Sequence, residues 1–372
     1  MSSHREKIII VGLRISRQTR EFFEESMLEL ERLVDTAGGE VVARIEQTLD
    51  MPVAATFIGK GKLEELKAII EMENCKTVVF DDDLKPKQLY NIERALGEDI
   101  KVLDRSGLIL DIFATRARTS EAKIQVELAQ LEYLKPRLAG MWVHLSRQEG
   151  GSIGARGPGE TQLETDRRVI DRRISKLKDK LNKVESQRQT RRKSRGKEFR
   201  VSLLGYTNAG KSTLLNKLTN SDAYAEDKLF ATLDPRTRIF RDEWGRKMLF
   251  TDTVGFIRKL PHDLVESFKS TLAEAVESDM ILTVAEAGHP ALRDHLAVVR
   301  QEIVRLGISD KHNLLVLNKI DLIDDFHRLD LERDYPKAVL ISAATGEGID
   351  NLIQRIIDIA GDSVKGYSEE QQ

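Results

Sequence analysis

The segment Gly205-Tyr206-Thr207-Asn208-Ala209-Gly210-Lys211-Ser212, followed by Thr213, has the spacing G-x-x-x-x-G-K-S. Residues of these types suit a triphosphate. The glycines let backbone N–H groups converge on phosphate oxygens, and Lys211 brings a point charge to the β- and γ-phosphates. The Ser212 hydroxyl is a Mg²⁺ ligand. About 40 residues further on stands Asp252-Thr253-Val254-Gly255. A carboxylate there reaches Mg²⁺ through a water, and Gly255 brings its N–H close to a γ-phosphate. Asn318-Lys319-Ile320-Asp321 follows. The Asp321 carboxylate accepts from N1–H and the exocyclic amine of guanine together. Adenine lacks the N1 proton, and such a mismatch rejects an analogue by ~10⁴. Lys319 can lie along the base plane and Asn318 can brace the loop, while the backbone of Ser342-Ala343-Ala344 can close on the guanine. The position after Gly255, where Ras-like enzymes carry a water-orienting glutamine, is Phe256. No catalytic residue is therefore assigned with certainty; Lys211 remains to support the transition state.

Each motif needs a strand end to hold it. Phe199–Leu204, Lys247–Phe250, Asn313–Leu317 and Val339–Ile341 read as strands, and a motif follows each. A helix over Lys211–Leu218 would aim its partial positive charge at the phosphates. The order and context predict a doubly wound P-loop domain with GTP and GDP as its ligands.

The N-terminal part alternates in the same way. Strand-like Lys7–Leu13, Glu40–Ile45, Thr77–Phe80 and Ile100–Leu103 are separated by helical patterns over Arg17–Val34, Lys62–Met72 and Lys85–Leu96, with Ser106–Ala114 helical after them. Phe22, Leu30 and Leu33 are among the apolar positions of the first helix. This pattern predicts a small parallel α/β domain. Between the two parts lies a polar helical region. Glu121–Leu134 is helical and Pro136 is expected to limit it. Five glycines fall among the ten residues Gly150–Gly159, and Thr161 with Glu164 has the spacing of a capping box. Leu163, Ile170, Ile174, Leu177, Leu181 and Val184 form a heptad-like stripe, with Arg167 at its one missing position. The expected form is a helical hairpin with residues 121–138 or with its own downstream half. A repeat of about three heptads argues against a sustained two-chain coiled coil, and a monomer is expected. The divisions are 1–118, 119–198, 199–364 and a tail at 365–372.

Composition narrows the setting. The 372 residues sum to a net charge of −2, yet Asp166–Arg200 holds 15 Lys and Arg against five Asp and Glu. A basic block in an otherwise acidic chain points to a polyanion. One cysteine, Cys75, excludes an internal disulfide. The apolar run Ile8–Val11 is too short for a signal or a membrane span, and a cytoplasmic protein is expected.

The guanine-nucleotide motifs resemble those of translation-factor-related GTPases, and the chain as a whole resembles the HflX family of ribosome-associated GTPases. The resemblance rests on Phe57–Lys62, Leu103–Arg105, Leu108–Ala114, Arg116–Thr119, Gln125–Gln130 and Pro136–Leu138. Its most specific part is the glycine loop with Gly157–Thr161 and Asp166–Arg168. Phe230-Ala231-Thr232-Leu233-Asp234-Pro235 matches the family's switch I, which implies Thr232 as second Mg²⁺ hydroxyl and γ-phosphate sensor. Asn208 matches a pattern of GTPases that use K⁺ beside the phosphates. Arg236 stands where a threonine is expected. Val284–Gly288 also departs from the family run, without touching a nucleotide motif. The resemblance implies binding to the large ribosomal subunit and its RNA, and GTP-controlled separation of stalled or idle ribosomes. Arg147 and Arg156 around the glycine loop, with Arg167, Arg168, Arg172 and Arg173 on the next helix, are the candidate RNA contacts. An RNA-processing or assembly GTPase, or a signalling switch acting on a protein, remain the alternatives.

Overall fold

The computed structural model describes residues 5–369 apart from 98, 149–157, 194–197, 220–228, 231 and 260–268. The chain forms two compact units: Met1–Glu185 with Lys259–Ser267, and Ser186–Arg258 with Phe268–Gln372.

The first unit contains β1 (Glu6–Ile15), α1 (Arg20–Thr36), β2 (Gly39–Leu49), α2 (Lys60–Glu73), β3 (Thr77–Phe80), α3 (Pro86–Leu96), β4 (Lys101–Asp104) and α4 (Arg105–Arg116). Its sheet runs β2-β1-β3-β4, wholly parallel. Helices cover both faces of such a sheet, so Ile8–Val11 and Val78–Phe80 are buried without alternation. Thr19 caps α1 by accepting from Phe22 N–H at 3.2 Å. Phe23, Met27, Leu30, Leu33 and Val34 then face inward; Phe22 is the exposed neighbour of the ring that packs. Arg105 is wholly buried and ion-paired with Glu29 and, at 2.6 Å, with Asp81. Ser26 also donates to Asp81, at 2.7 Å.

Two long helices follow, α5 (Ser120–Gln148) and α6 (Pro158–Lys193). Leu128, Ile174 and Leu177 are buried together, with Ile124, Leu131, Ile170 and Leu181 packed against them. This is the helical hairpin with the 121–138 segment; Arg167 is exposed. Two local expectations give way. Pro136 lies inside α5. The Arg137 guanidinium bonds Tyr133 O at 2.7 Å and the buried Asp104 carboxylate at 2.7 Å, so tertiary contacts hold the chain helical past the lost N–H. And α6 starts at Pro158, so Thr161 is not its cap. Proline is well suited to the first turn, where its missing N–H has no helical partner to lose.

The second unit holds β5 (Phe199–Gly205), α7 (Lys211–Leu218), β6 (Arg236–Arg241), β7 (Lys247–Asp252), β8 (Met280–Glu286), β9 (His312–Asn318) and β10 (Val339–Leu340). Helices Lys269–Val276, Leu292–Arg305, Asp325–Asp334 and Ile349–Glu369 complete it, with a 3₁₀ turn at Ile320–Leu322. The sheet order is β10-β9-β8-β5-β7-β6, parallel except for β6, which runs antiparallel to β7 at the edge. The strands β5, β7, β8 and β9 end side by side. That row of carboxyl ends beside a change in strand order is where open α/β sheets hold ligands.

Candidate functional site

The phosphate loop leaves β5 at Gly205 and enters α7 at Lys211. Asn208 at φ 62° and Gly210 at φ 88° turn it through the left-handed region. Asparagine tolerates that conformation, whereas a Cβ on Gly210 would lie 2.2 Å from Asn318 Nδ2. Thr207 N–H donates to Phe256 O at 2.8 Å and Phe256 N–H donates to Gly205 O at 3.0 Å, which ties the loop to the residue after Gly255. The Phe256 ring is buried in the unit's interior and offers nothing polar. A Cβ on Gly255 would meet Thr207 Cα at 2.8 Å and Lys211 Nζ at 3.0 Å, so only glycine lets these three segments meet. Lys211 Nζ donates to Gly205 O at 3.1 Å and Tyr206 O at 2.8 Å. Burial pushes this ammonium down to about 8, opposed by the charge of Asp252.

Beside it, Ser212, Thr232 and Asp252 converge. Ser212 Oγ donates to Asp252 Oδ2 at 2.6 Å, Thr232 Oγ1 donates to the same oxygen at 2.9 Å, and the two hydroxyls are 2.9 Å apart. Asp252 Oδ1 is buried without a partner. An orphaned carboxylate oxygen among hard hydroxyl oxygens fits a small divalent cation such as Mg²⁺. Thr232 lies 20 residues from Ser212 in the chain, and the spacing gave no clue that they meet. Phe230 and Leu233 are buried on either side of Thr232, with Asp234 half-buried beyond; Ala231 lies outside the described residues. Thr213, Thr253 and Val254 complete the row, with Thr253 Oγ1 donating to Leu203 O at 2.7 Å.

The base-recognition candidates form a second cluster. Asn318 Nδ2 donates to Ala209 O and Asn318 Oδ1 accepts from Ala343 N–H, both at 2.9 Å. One buried amide thus ties the phosphate loop to the Ser342–Ala344 turn. Ile320 is buried, Ser342 is fully buried and accepts from Thr345 N–H at 3.1 Å, and Asp321 is exposed on the 3₁₀ turn. Lys319 Nζ lies 2.8 Å from Glu286 Oε2. The departing Val284–Gly288 run therefore does touch a nucleotide motif, contrary to the sequence reading. β8 and β9 are parallel neighbours with Glu286 opposite Asn318, a register that no local pattern reveals. Sequence reasoning also missed the bracing of Tyr206. Its ring stacks on His295 at 3.7 Å, and its hydroxyl accepts from Arg258 N–H at 2.8 Å. Arg258 in turn pairs with Asp294 at 2.9 Å.

Of the candidate RNA contacts, Arg156 and the Arg147 side chain lie outside the described residues. Arg167 and Arg172 are exposed on α6, Arg168 lies 3.6 Å from Glu164, and Arg173 pairs with Glu127 across the hairpin at 2.5 Å. No helix among the described residues is long and apolar enough to cross a membrane.

Family models match most of the chain. Residues 24–114 match one described as GTP-binding GTPase N-terminal, and 116–195 one described as GTP-binding GTPase Middle Region. Residues 200–319 match one described as 50S ribosome-binding GTPase. The chain is 50% identical over 316 residues to a GTPase HflX of Flavobacterium psychrophilum, which covers 85% of this chain and 76% of that protein. It is 46% identical over 338 residues to a GTPase HflX of Escherichia coli, which covers 90% of this chain and 79% of that protein. A crystal structure of a GTP-binding protein from Sulfolobus solfataricus in complex with GDP aligns over 96% of this chain and 99% of its own. The TM-score is 0.50 and the identity 27%.

Proposed function

The chain belongs to the HflX family of GTPases, and from that premise we propose that it is a GTP-controlled factor that binds the large ribosomal subunit and splits stalled or idle ribosomes. It hydrolyses GTP to GDP and phosphate, an activity that the family membership carries. In our reading Asp321 selects guanine, Asn318 holds the base loop against the phosphate loop, and Ser342–Ala344 closes over the base. The N–H groups of Thr207–Ser212 and the Lys211 ammonium take the phosphates. Ser212 and Thr232, with Asp252 through a water, would hold Mg²⁺, which when bound neutralises charge shared by the β- and γ-phosphates. Asn208 is our candidate for a K⁺ ligand.

The observation that carries the reading is the meeting of Ser212, Thr232 and Asp252. It joins switch I to the cation-binding end of the phosphate loop, so loss of a γ-phosphate would release that segment. The ribosomal partner is supported by the description of the matching family model and by the exposed arginines of α6. Ribosomal RNA is a polyanion whose backbone such residues can follow. A monomer working in the cytoplasm fits this role.

Sedimentation of intact ribosomes with the protein and a non-hydrolysable GTP analogue tests the proposal. Free subunits are expected, with the protein on the large one. A variant with residues 150–159 replaced by a short linker should retain nucleotide affinity and lose splitting. Full splitting by that variant would remove the glycine loop from the mechanism. Binding only to protein-free precursor RNA, or salt-insensitive binding to a protein, would replace the function with one of the alternatives.

A further inference from the structure

The β6–β7 hairpin has features that neither folding nor nucleotide binding explains. Its turn is built around Asp242, which is buried and whose Oδ1 accepts from Trp244 N–H at 3.0 Å and Arg246 N–H at 2.8 Å. Asp242 Oδ2 takes the Arg246 guanidinium at 2.5 Å, and Gly245 turns the chain at φ 76°. This well-fixed turn holds a tryptophan that is 66% exposed, with the Arg246 guanidinium 5.1 Å from its ring centroid. A large aromatic on a rigid turn, outside every core, gains nothing from water.

The strand beside it is an edge, and its charge is of one sign. β6 reads Arg-Thr-Arg-Ile-Phe-Arg, without an acidic residue. Arg241 is exposed, and among the described residues it takes part in no ion pair; Arg238 is exposed on the opposite face, across from Phe250. Arg241 stands directly opposite Lys247 across the antiparallel pair. Like charges in that position destabilise a sheet. Ile239, on the same face as Arg241, is 54% exposed. Charge alone would serve to blunt an edge strand against aggregation. That purpose does not call for Trp244 or for cations set against each other.

We propose that the β6–β7 hairpin is an RNA-docking surface, with Trp244 as a stacking platform for an unpaired base and Arg241 and Lys247, which share one face of the hairpin, as contacts for the adjoining phosphates. Aromatic stacking combined with a cationic track is the chemistry of single-stranded nucleic-acid recognition. A polyanion also relieves the Arg241–Lys247 repulsion. The hairpin has a route to the reaction as well. β6 begins at Arg236, four residues after Thr232. RNA held on this strand restrains switch I, so partner binding raises the hydrolysis rate. The inference rests on the ribosomal reading above and names a surface for it outside α6 and the glycine loop.

The test compares wild type with Trp244→Ala, Trp244→Phe and Arg241→Glu/Lys247→Glu, each at full length; the double reversal keeps a like-charged cross-strand pair. GTP affinity, basal GTPase and thermal stability should be unchanged, since these side chains lie outside the nucleotide motifs and the core. Binding of a labelled single-stranded RNA decamer should weaken about 5- to 100-fold in Trp244→Ala and recover in Trp244→Phe, the range expected for one lost stacking contact. The charge-reversal variant should lose binding and flatten its salt dependence. Stimulation of GTPase by large subunits should fall in parallel. Variants that bind RNA and respond to subunits as wild type does would overturn the inference and leave the ribosomal function standing. Loss of subunit binding with unchanged binding to protein-free RNA would overturn the RNA assignment in favour of a protein contact. A wild type that subunits do not stimulate would instead refute the ribosomal reading, while the decamer assay still judges the hairpin.

Discussion

Lys211 should take up a proton when GTP binds at mildly alkaline pH. Its ammonium is enclosed by protein and held by the carbonyls of Gly205 and Tyr206, and burial lowers its pKa to about 8 from the ordinary 10.5. A bound triphosphate brings negative charge beside it and favours the ammonium. The free protein therefore holds fewer protons at Lys211 than the complex once pH exceeds about 8, and affinity falls as pH rises through that value. With this pKa, Lys211 in the free protein is roughly 90% charged at pH 7 and roughly a quarter charged at pH 8.5. GTP should then bind about fourfold more weakly at pH 8.5, with uptake of roughly three-quarters of a proton. Staying at or below pH 8.5 leaves guanine's own N1–H in place. Isothermal titration in two buffers of different ionisation enthalpy measures the uptake directly. Identical heats in both buffers at pH 8.5 would show that Lys211 is already fully charged in the free protein, and the burial argument would fail. Lys211→Arg, whose guanidinium does not titrate here, should abolish whatever uptake is seen.

Asp321→Asn should weaken GTP and favour xanthine nucleotides, because the amide NH₂ would face guanine's exocyclic amine, donor against donor, but can donate to the C2 carbonyl of xanthine; competition among GTP, XTP and ATP reads this, and unchanged GTP affinity would remove Asp321 from the base site. Hydrolysis should run faster in K⁺ than in Na⁺ at matched ionic strength if Asn208 helps to hold a monovalent cation, and equal rates would exclude that role. Arg105→Ala strips Glu29 and Asp81 of a fully buried guanidinium. It should destabilise the N-terminal unit by about 3–5 kcal/mol with nucleotide affinity intact; denaturant titration followed in that unit checks the loss, and a change below 1 kcal/mol would contradict it.

The second unit was legible in the sequence because each of its motifs sits at the end of a strand, and short apolar runs announce those ends. Lys211, Asp252, Asn318 and Ser342 are readable one at a time from local pattern. Their partnerships are not. Thr232 meets Ser212 and Asp252 only once the chain has crossed the sheet, and Glu286 reaches Lys319 only through the β8–β9 register. The stack of Tyr206 on His295 joins residues almost 90 positions apart, with no periodicity to signal it. In the helical region, local rules misled for a related reason. Pro136 reads as a stop, yet Arg137 and Asp104 hold the helix beyond it. Thr161 reads as a cap, yet α6 has already begun at Pro158, three residues earlier. Phe22 and Phe23 are adjacent, and it is Phe23, four residues before Met27 and seven before Leu30, that shares their buried face.

The most direct measurement is the GTPase rate of the isolated protein with and without large ribosomal subunits. Phe256 is buried and nonpolar, and it stands where Ras-like enzymes hold the attacking water with a glutamine. Binding of the phosphates by Lys211 remains, so hydrolysis should be slow rather than absent, at about 10⁻⁴–10⁻³ s⁻¹. Addition of large subunits should raise it about 10³-fold or more, as a partner that completes such a site does. Phe256→Ala should lower stability by about 3–5 kcal/mol, because a buried ring is lost, but change the basal rate of the folded protein little, since no polar group is lost. A fast isolated enzyme that ribosomes do not accelerate would contradict this reading and place a complete catalytic set within the chain.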